Sequence, residues 1–387
     1  MAKTNTNPEV RFAGFTKDWE EKDFSNEVEF FSGLTYSPID IVKEDGTFVI
    51  RSSNIQDGKF VDADNVYVNS SKVNCEFVKK NDIAVVVRNG SRDLIGKHAQ
   101  IKRNIKNTVV GAFMTGIRSE TPNFINALLD SESFKREINK NLGATINQIT
   151  TGNFKQMKFC FPDDKIEKEK IGNFFENIDN LITEHQQKHS KLKSLKQAML
   201  DKMFPKQGQL VPELRFNGFE GDWIQSDLKN ILSFQYGIFN NNPNNGGEYP
   251  VYGANGVIGG YTEYNASDSV VIGHMGEYAG IVLWADGKHF VTYNGIITKT
   301  KNEELLTKFG YYMLSKMDLR KICDGSGQPF LSYAILNNIK GNYPKSHDEQ
   351  NQICKYFENF DSLIGKYGLQ ITKLKNIKQA FLAKMFV

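Results

Sequence analysis

Short apolar runs that end in glycine, asparagine or serine recur along the chain and predict β-strands. The clearest are FVIRSS at 48–53, IAVVVRNG at 83–90 and SVVIGHMG at 269–276. Residues 122–142 and 303–321 have instead the apolar spacing that is typical of helices. Strands and helices therefore occur in both halves of the chain, and the pattern predicts a mixed α/β (α+β) fold.

Two long polar stretches carry apolar residues at a seven-residue repeat, one seam beginning at Ile171 and Phe174 and the other at Ile353 and Tyr356. This repeat predicts two helices that pack on each other as an antiparallel coiled coil, since neither can bury its stripe alone. The predicted coiled-coil or partner contacts are Ile171, Ile178, Leu181, Leu192, Leu195, Met199, Ile353, Phe360, Leu363, Leu374, Ile377 and Phe381.

Polar residues interrupt the same seams near the middle of each predicted helix. His185 and Lys188 do so in the first helix, and Gln370 does so in the second. Polar seam residues can fix the alignment of a coiled coil at some cost in stability. We expect them to set the antiparallel alignment here. The second helix also has a capping-box spacing, with Ser346 three residues before Glu349.

The chain is an internal duplication. PEVRFAGFTKDW at 8–19 matches PELRFNGFEGDW at 212–223 at eight of twelve positions, and 162–204 matches 344–386 at 19 of 43 positions. The order is thus globular part, long helix, globular part, long helix. The predicted boundaries are 1–162, 163–206, 207–345 and 346–387.

Composition is that of an ordinary soluble protein. The 387 residues are 40% hydrophobic and 24% charged, with a net charge of +3, too mild for a non-specific coat on nucleic acid. No apolar run approaches a membrane span and no secretory signal is visible, so we expect a cytoplasmic protein. The four cysteines have no metal-ligand or disulfide spacing and are read as reduced thiols.

Catalytic signatures are missing from the sequence. It has no GxxxxGK[ST] phosphate loop, no GxGxxG that opens a helix after a strand, and no HExxH. The six histidines show no metal spacing. The sequence therefore predicts neither catalytic residues nor a metal site in this chain.

A duplicated chain usually presents two similar faces to a repetitive target, and DNA is the obvious candidate because half-sites recur along a duplex. Polar residues that follow the predicted strands are then candidates for contact with DNA, since Arg pairs with guanine and Asn with adenine. Each has a plainer reading as a turn or loop residue, and for Asn54 the two readings are evenly matched. In the first globular part the candidates are Arg51, Ser52, Asn54, Arg88, Asn89, Ser91, Arg92, Thr145 and Asn147.

The second globular part has candidates at the corresponding places. Matching Gly90 to Gly276 makes His274 the counterpart of Arg88, and matching Asn54 to Asn255 makes Tyr252 the counterpart of Arg51. Different side chains on a shared framework are what two different readers would show. The candidates in this part are Tyr252, Asn255, His274, Ser326 and Gln328.

The whole arrangement resembles the DNA-specificity subunit of bacterial type I restriction–modification systems. The resemblance rests on the duplicated PExRFxGFxxDW, on FFENIDNLI and FENFDSLI, and on KLKSLKQAMLDKMF and KLKNIKQAFLAKMF. It covers essentially the whole chain. The order of these motifs, repeated twice, is more specific than any one of them.

This resemblance implies a fold and a function. The globular parts would be two target-recognition domains, separated by two long antiparallel coiled-coil helices in a pseudo-twofold repeat. Each domain would read one half of a bipartite site in double-stranded DNA. The partners would be two methyltransferase (modification) subunits and restriction/translocase subunits. S-adenosylmethionine, ATP and magnesium would bind those partners, and this chain would be non-catalytic.

Two other classes of function stay open at this point. The chain could be a stand-alone DNA methyltransferase or nuclease with unrecognised motifs. It could also be a scaffold that binds proteins at both globular parts.

Overall fold

The computed structural model describes residues 6–43, 45–142, 147–325 and 327–387. The chain forms two compact units. Unit 1 consists of Met1–His185 and Gln370–Val387, and unit 2 of Gln186–Leu369. Each unit therefore contains one globular part together with half of each long helix.

Unit 1 is a mixed α/β structure, as the sequence predicts. Its central sheet has the strand order β2-β11-β8-β9-β6-β5, a second sheet has the order β10-β4-β7-β3, and β1 pairs with β12. The strands are β1 Glu20–Asp23, β2 Glu29–Ser32, β3 Ile41–Val42, β4 Thr47–Ile50, β5 Ile55–Gln56, β6 Lys59–Phe60, β7 Val66–Val68, β8 Ile83–Val86, β9 His98–Gln100, β10 Thr108–Val110, β11 Met114–Arg118 and β12 Lys158–Phe161; the helices are α1 Pro122–Asp130, α2 Glu132–Asn141 and α3 Thr151–Gln156, followed by the first long helix, α4 Lys165–Met203.

Unit 2 also has a six-stranded central sheet, with the strand order β14-β19-β17-β18-β15-β16, while β13 pairs with β20. Its first four strands repeat the order β2-β11-β8-β9 of unit 1, and its outer two strands lie in the reverse chain order. Its elements are β13 Ile224–Asp227, α5 Leu228–Ile231, β14 Leu232–Tyr236, β15 Tyr249–Gly253, β16 Gly256–Tyr261, β17 Ala266–Gly273, β18 Val282–Val291, β19 Gly295–Thr300, α6 Thr307–Lys316, α7 Tyr333–Asn337 and β20 Lys340–Tyr343, followed by the second long helix, α8 His347–Met385.

The central strands β8 and β17 coincide with two of the apolar runs from which the sequence predicts strands. All four residues of β8 are buried, and β8 pairs antiparallel with both β9 and β11. Strand β17 pairs in the same way with β18 and β19. Burial on both faces explains why neither run alternates between apolar and polar residues.

A buried ion pair fixes the start of α4 in unit 1. Glu167 is 1% exposed, and its carboxylate accepts two hydrogen bonds from Arg11, at 2.6 Å from Nε and 2.8 Å from Nη2. Trp19 donates a third from Nε1 at 3.4 Å. The ring of Trp19 also packs edge-on against Phe386 near the end of α8. Arg11 and Trp19 of the opening motif therefore hold the first turn of the helix.

Unit 2 repeats this ion pair residue for residue. Arg215 donates to Glu349 at 2.7 and 2.8 Å, and Trp223 donates to the same carboxylate at 3.2 Å. Glu349 is thus occupied by Arg215 and Trp223. Only half of the predicted capping box is seen, in which Ser346 Oγ accepts the backbone N–H of Glu349 at 3.4 Å. The duplicated opening motif is explained by a duplicated structural role.

The two long helices run antiparallel within each unit. In unit 1, Phe174 of α4 packs on Phe381 of α8 with ring centroids 5.0 Å apart, and Asp179 contacts Lys378 at 2.7 Å. Residues later in α4 therefore contact residues earlier in α8. The predicted antiparallel pairing is confirmed by these contacts.

The predicted second seam is wrong by one residue. Leu181, Leu195 and Leu363 are 45%, 46% and 44% exposed, whereas Ile182 is 7% exposed and Phe357 is fully buried. The buried stripe follows Ile171 at a spacing of four and then three. Of the other predicted contacts, Ile171, Ile178 and Ile353 are buried, and Leu192, Met199, Phe360, Leu374, Ile377 and Phe381 are half-buried.

The shifted seam brings a lysine of each helix onto an aspartate of the other. In unit 2, Lys196 of α4 contacts Asp361 of α8 at 2.5 Å. In unit 1, Lys378 of α8 contacts Asp179 of α4 at 2.7 Å. Both residue types recur at the repeat offset of 182, so one interaction is made twice. Lys188, which the sequence suggests as an alignment residue, is exposed, and its Nζ lies 6.0 Å from the centroid of the Tyr367 ring on α8.

Each globular part contributes a residue to its lysine–aspartate pair. In unit 2 the hydroxyl of Tyr312 donates to Asp361 at 2.9 Å. In unit 1 Lys378 also contacts Asp130, at 2.7 Å, and His98 Nε2 lies 3.4 Å from that carboxylate. Burial alone would raise the pKa of Asp130, but the hydrogen bond from His98 and the charge of Lys378 hold this pKa well below its usual value.

Glu167→Ala will leave Arg11 without its partner at a largely buried position. We expect the free energy of unfolding to fall by about 3–5 kcal/mol, the usual cost of removing one member of a buried ion pair. Urea unfolding followed by circular dichroism measures the change. Glu169→Ala, at an exposed position of the same helix, is the matched control and should cost less than about 0.5 kcal/mol. Equal losses in the two variants would contradict a stabilising role for the pair.

Asp130→Asn will destabilise the protein in a pH-dependent way. Because the folded pKa of Asp130 lies below the unfolded value of about 3.9, its contribution is present above pH of about 4 and is lost as the pH falls through the folded pKa. Urea unfolding at pH 7 and pH 3 should show a difference from the parent protein that shrinks at pH 3. The exposed Asp93→Asn serves as control. A difference of the same size at both pH values would argue against this ion-pair role.

Candidate nucleic-acid interface

Loops from distant parts of the sequence meet at one edge of each central sheet. In unit 1, β8 ends at Val86, which pairs with Met114 at the start of the antiparallel β11. In unit 2, β17 ends at Gly273, which pairs with Gly295 at the start of β19. We call this edge the loop edge. It comprises 51–54, 87–92, 111–113 and 147–149 in unit 1, and 237–239, 253–256, 274–278, 292–294 and 327–331 in unit 2.

The loop edge of unit 1 brings together three predicted segments. Asn89 donates from Nδ2 to Ser52 Oγ at 3.4 Å, and its backbone N–H donates to the carbonyl of Asn147 at 3.3 Å. Asn147 in turn donates from Nδ2 to the carbonyl of Gly90 at 3.0 Å. The side chains of Ser52, Asn89 and Asn147 therefore share one partly exposed surface.

Two exposed arginines flank this polar surface. The guanidinium of Arg88 lies over the ring of Phe113, 5.0 Å from its centroid, and Phe113 is itself 55% exposed. Stacking on an aromatic face orients the planar guanidinium while leaving its edge open to a partner. Arg92 and Ser91 are also exposed, and the Ser91 backbone donates to Asn89 Oδ1 at 3.0 Å.

Sequence reasoning missed Phe113. The available signal is its place in the short turn between the two buried strands β10 and β11, where a large apolar side chain has no core to enter.

Arg51 and Asn54 are largely occupied within the protein. Arg51 Nη2 donates to the carbonyl and to Oδ2 of Asp64, at 2.7 and 2.6 Å. Asn54 is fully buried, where it accepts the backbone N–H of Arg51 at 2.9 Å and donates to the carbonyl of Ala63 at 2.5 Å. Asn54 therefore occupies a structural position in the turn, and a base edge cannot reach it unless the loop opens.

The counterparts assigned from sequence in unit 2 are displaced by one residue. The backbone of Ile149 donates to Val87 in unit 1, and that of Leu331 donates to His274 in unit 2, both at 2.9 Å. His274 is therefore the structural counterpart of Val87. By the same test, Gly111 donates to Ile50 and Thr292 donates to Tyr252, so Tyr252 corresponds to Ile50.

These assignments explain why His274 and Tyr252 are not freely exposed. His274 is 6% exposed, its Nδ1–H donates to the carbonyl of Leu331 at 2.8 Å, and its ring packs 4.3 Å from that of Tyr236. Tyr252 is half-buried, with its ring 5.4 Å from that of His289. Both residues support the loop edge from beneath.

Other predicted residues of unit 2 are open to solvent. Asn255 is exposed in the turn between β15 and β16, and Gln328 is exposed in the loop before α7. Thr145 and Ser326 lie outside the described residues.

The loop edge of unit 2 also exposes apolar side chains that sequence reasoning missed. Phe239 is 76% exposed, Ile238 52%, Tyr293 45% and Phe330 38%. They belong to connected loops, because the backbone of Tyr293 donates to Ile238 and Phe330 is bridged to Met275. The structural counterpart of Arg88 in this unit is Met275.

Metal and membrane sites are not seen in the part of the chain that the structure describes. No group of three or more His, Cys, Asp or Glu side chains there is placed to hold a metal ion. None of the helices in that part combines the length and apolar character that crossing a bilayer requires.

Comparison with known proteins gives consistent matches. The type I restriction modification DNA specificity domain model matches residues 17–194 and again 221–376. The specificity subunit of the EcoKI enzyme of Escherichia coli (strain K12) is 25% identical over 417 residues, or 95% of this chain and 88% of that protein. The StySPI specificity subunit of Salmonella potsdam is 28% identical over 193 residues, which span 47% of this chain and 42% of that relative.

The fold is also shared with a solved structure. The S subunit of a type I restriction-modification system from M. genitalium superimposes with a TM-score of 0.73 at 19% identity, over 98% of this chain and 99% of that one. Because the family model matches both repeats and most of the sequence, the chain belongs to the type I restriction modification DNA specificity family.

Proposed function

We propose that this chain is the non-catalytic specificity subunit that recognises a bipartite DNA site and directs adenine methyltransferase and restriction subunits to it. The observation that carries the proposal is the pair of loop edges, which present different side chains on one repeated sheet. Equivalent frameworks with different contact residues are suited to two unlike half-sites.

In this proposal the reading domains are 1–162 and 207–345. Arg88 and Arg92 contact base edges or phosphates from the first, together with Ser52, Asn89 and Ser91. Asn255 and Gln328 do so from the second. Arginine is the commonest reader of guanine, and serine and asparagine suit bases and phosphates alike. The candidate residues 51 and 54 shape and support the first loop edge.

The long helices supply a surface for the two modification subunits. Leu181 and Leu363 are related by the repeat offset of 182 and are exposed to almost the same extent, 45% and 44%. Exposed leucines on otherwise polar helices are typical of protein contacts. Two equivalent positions fit two copies of one partner.

Methylation of DNA tests the proposal. The chain, its modification subunits and S-adenosylmethionine should methylate adenines in one split sequence only when both proteins are present. Methylation by the chain alone would show an enzyme in its own right. Methylation that is unaffected by omitting the chain would exclude a specificity role.

Exchange of residues 20–160 for those of a relative should change one half-site and leave the other intact, because each unit has its own sheet and loop edge. Sequencing of methylated adenines in host DNA reports both half-sites directly. A control chain in which 224–343 is exchanged should change the opposite half-site. Alteration of both half-sites by either exchange would contradict independent reading.

Arg88→Ala should weaken binding to the target by about 1–3 kcal/mol and relax the sequence requirement at one position, as expected for an arginine that reads guanine. Fluorescence anisotropy with all four bases at each position of the half-site measures both effects. Arg103→Ala is the matched control. Arg103 is also an exposed arginine over an aromatic ring, with its guanidinium 5.6 Å from the centroid of Phe60. It follows the end of β9, at the edge of the sheet opposite the loop edge. Equal weakening on every sequence would make Arg88 a phosphate contact.

A further inference from the structure

The two loop edges differ in chemical character as well as in sequence. That of unit 1 presents Arg88 and Arg92, with hydroxyl and amide side chains between them. That of unit 2 presents Phe239, Tyr293 and other exposed apolar side chains. The difference concerns the same structural positions, since Arg88 is replaced by Met275.

The backbone around these positions explains the difference in exposure. Leu34 in unit 1 is bridged to Gly111 as Ile238 in unit 2 is bridged to Thr292. Leu34 is 1% exposed because it packs with Val49, Val68 and Val109 of the second sheet. The corresponding Ile238 is 52% exposed. Ile238 is therefore exposed in unit 2 at the position where Leu34 is buried in unit 1.

The apolar surface of unit 2 rests on a rigid base. Tyr236 stacks on Tyr333 with ring centroids 4.0 Å apart, and it packs against His274 and Tyr293 at 4.3 and 5.8 Å. Aromatic packing of this kind holds the loops in place before any partner arrives. Tyr293 is thus fixed from one side while 45% of it stays exposed.

Charged residues border the 274–278 loop of this surface. The backbone of Arg320 packs on Gly280, which follows that loop, so closely that a β-carbon at Gly280 would lie 2.7 Å from the Arg320 backbone nitrogen. Arg320 and the adjacent Lys321 are both exposed. The loop itself carries the exposed Glu277, so the exposed apolar side chains, and not a net positive charge, distinguish this surface.

The geometry points to unit 2 reading its half-site through the C5-methyl groups of thymine, while unit 1 reads guanine. This inference rests on the proposed function and adds the chemistry of each half-site. Thymine is the base that offers an apolar group in the major groove, and phenyl and aliphatic side chains are its usual contacts. Phe239 and Tyr293 make those contacts, and Ile238 and Met275 line the same surface.

Base analogues in the target duplex test the inference with the complete complex of the chain and its modification subunits. Uracil in place of thymine removes the methyl group and keeps base pairing. We expect about fourfold weaker binding per contacted methyl in the half-site of unit 2, the effect of exposing roughly one methylene equivalent. In the half-site of unit 1, 7-deazaguanine should weaken binding, and uracil should have no effect.

Paired variants assign the effects to residues. Tyr293→Ala and Phe239→Ala should abolish the sensitivity to uracil, because the side chains that sense the methyl group are gone. Tyr264→Ala is the matched control. Tyr264 is 48% exposed, like Tyr293, but precedes β17 at the opposite edge of the sheet. It should retain full sensitivity to uracil.

The outcomes separate this inference from the proposed function. A split methylation site that tolerates uracil in both half-sites would overturn the thymine contact and leave bipartite recognition intact. Uracil sensitivity confined to the half-site that depends on Arg88 would also overturn it. Absence of any split site would refute the proposed function itself. If the Tyr293→Ala complex is as sensitive to uracil as the parent complex, Tyr293 is excluded as the contact.

Discussion

The structure depends on one buried carboxylate at the start of each long helix. Glu167 and Glu349 are both 1% exposed, and each is neutralised by an arginine and a tryptophan from the segment that opens its globular part. A charge in that position would be prohibitive without such partners. The opening segment and the first turn of the helix therefore stabilise each other through this set of hydrogen bonds.

A rigid framework of this kind permits variation elsewhere. The first four strands of the two central sheets follow the same order and pair in the same directions, whereas the outer hairpin lies beside β9 through its second strand, β6, and beside β18 through its first strand, β15. The loop edge of unit 1 carries arginine and amide groups beside the exposed ring of Phe113, and that of unit 2 carries several exposed aromatic and aliphatic side chains. Residues that are the same in both repeats thus stabilise the framework, and residues that differ give each loop edge its own surface chemistry.

Much of this organisation follows from the sequence. The repeats, the long helices and the apolar central strands are readable because burial imposes regular spacing. The second seam is misassigned because adjacent apolar pairs, such as Leu181 with Ile182 and Leu363 with Ile364, permit two registers. The counterparts in unit 2 are displaced by one residue because His274 is placed by matching Gly90 to Gly276 and Tyr252 by matching Asn54 to Asn255. Gly276 has a positive φ of 77° and Gly90 does not, so they serve different turns. The contact between Phe113 and Arg88 depends on tertiary packing, and its local signal is limited to an apolar side chain in the turn between β10 and β11.

The lysine–aspartate pairs bear on how such proteins change over evolutionary time. The helices supply Lys196 with Asp361 and Lys378 with Asp179, and each globular part adds its own neighbour, Tyr312 or Asp130. A recombination event that transfers an entire globular part brings this neighbour along. The recipient helices then offer the newcomer the same lysine and aspartate, which favours new combinations of globular parts.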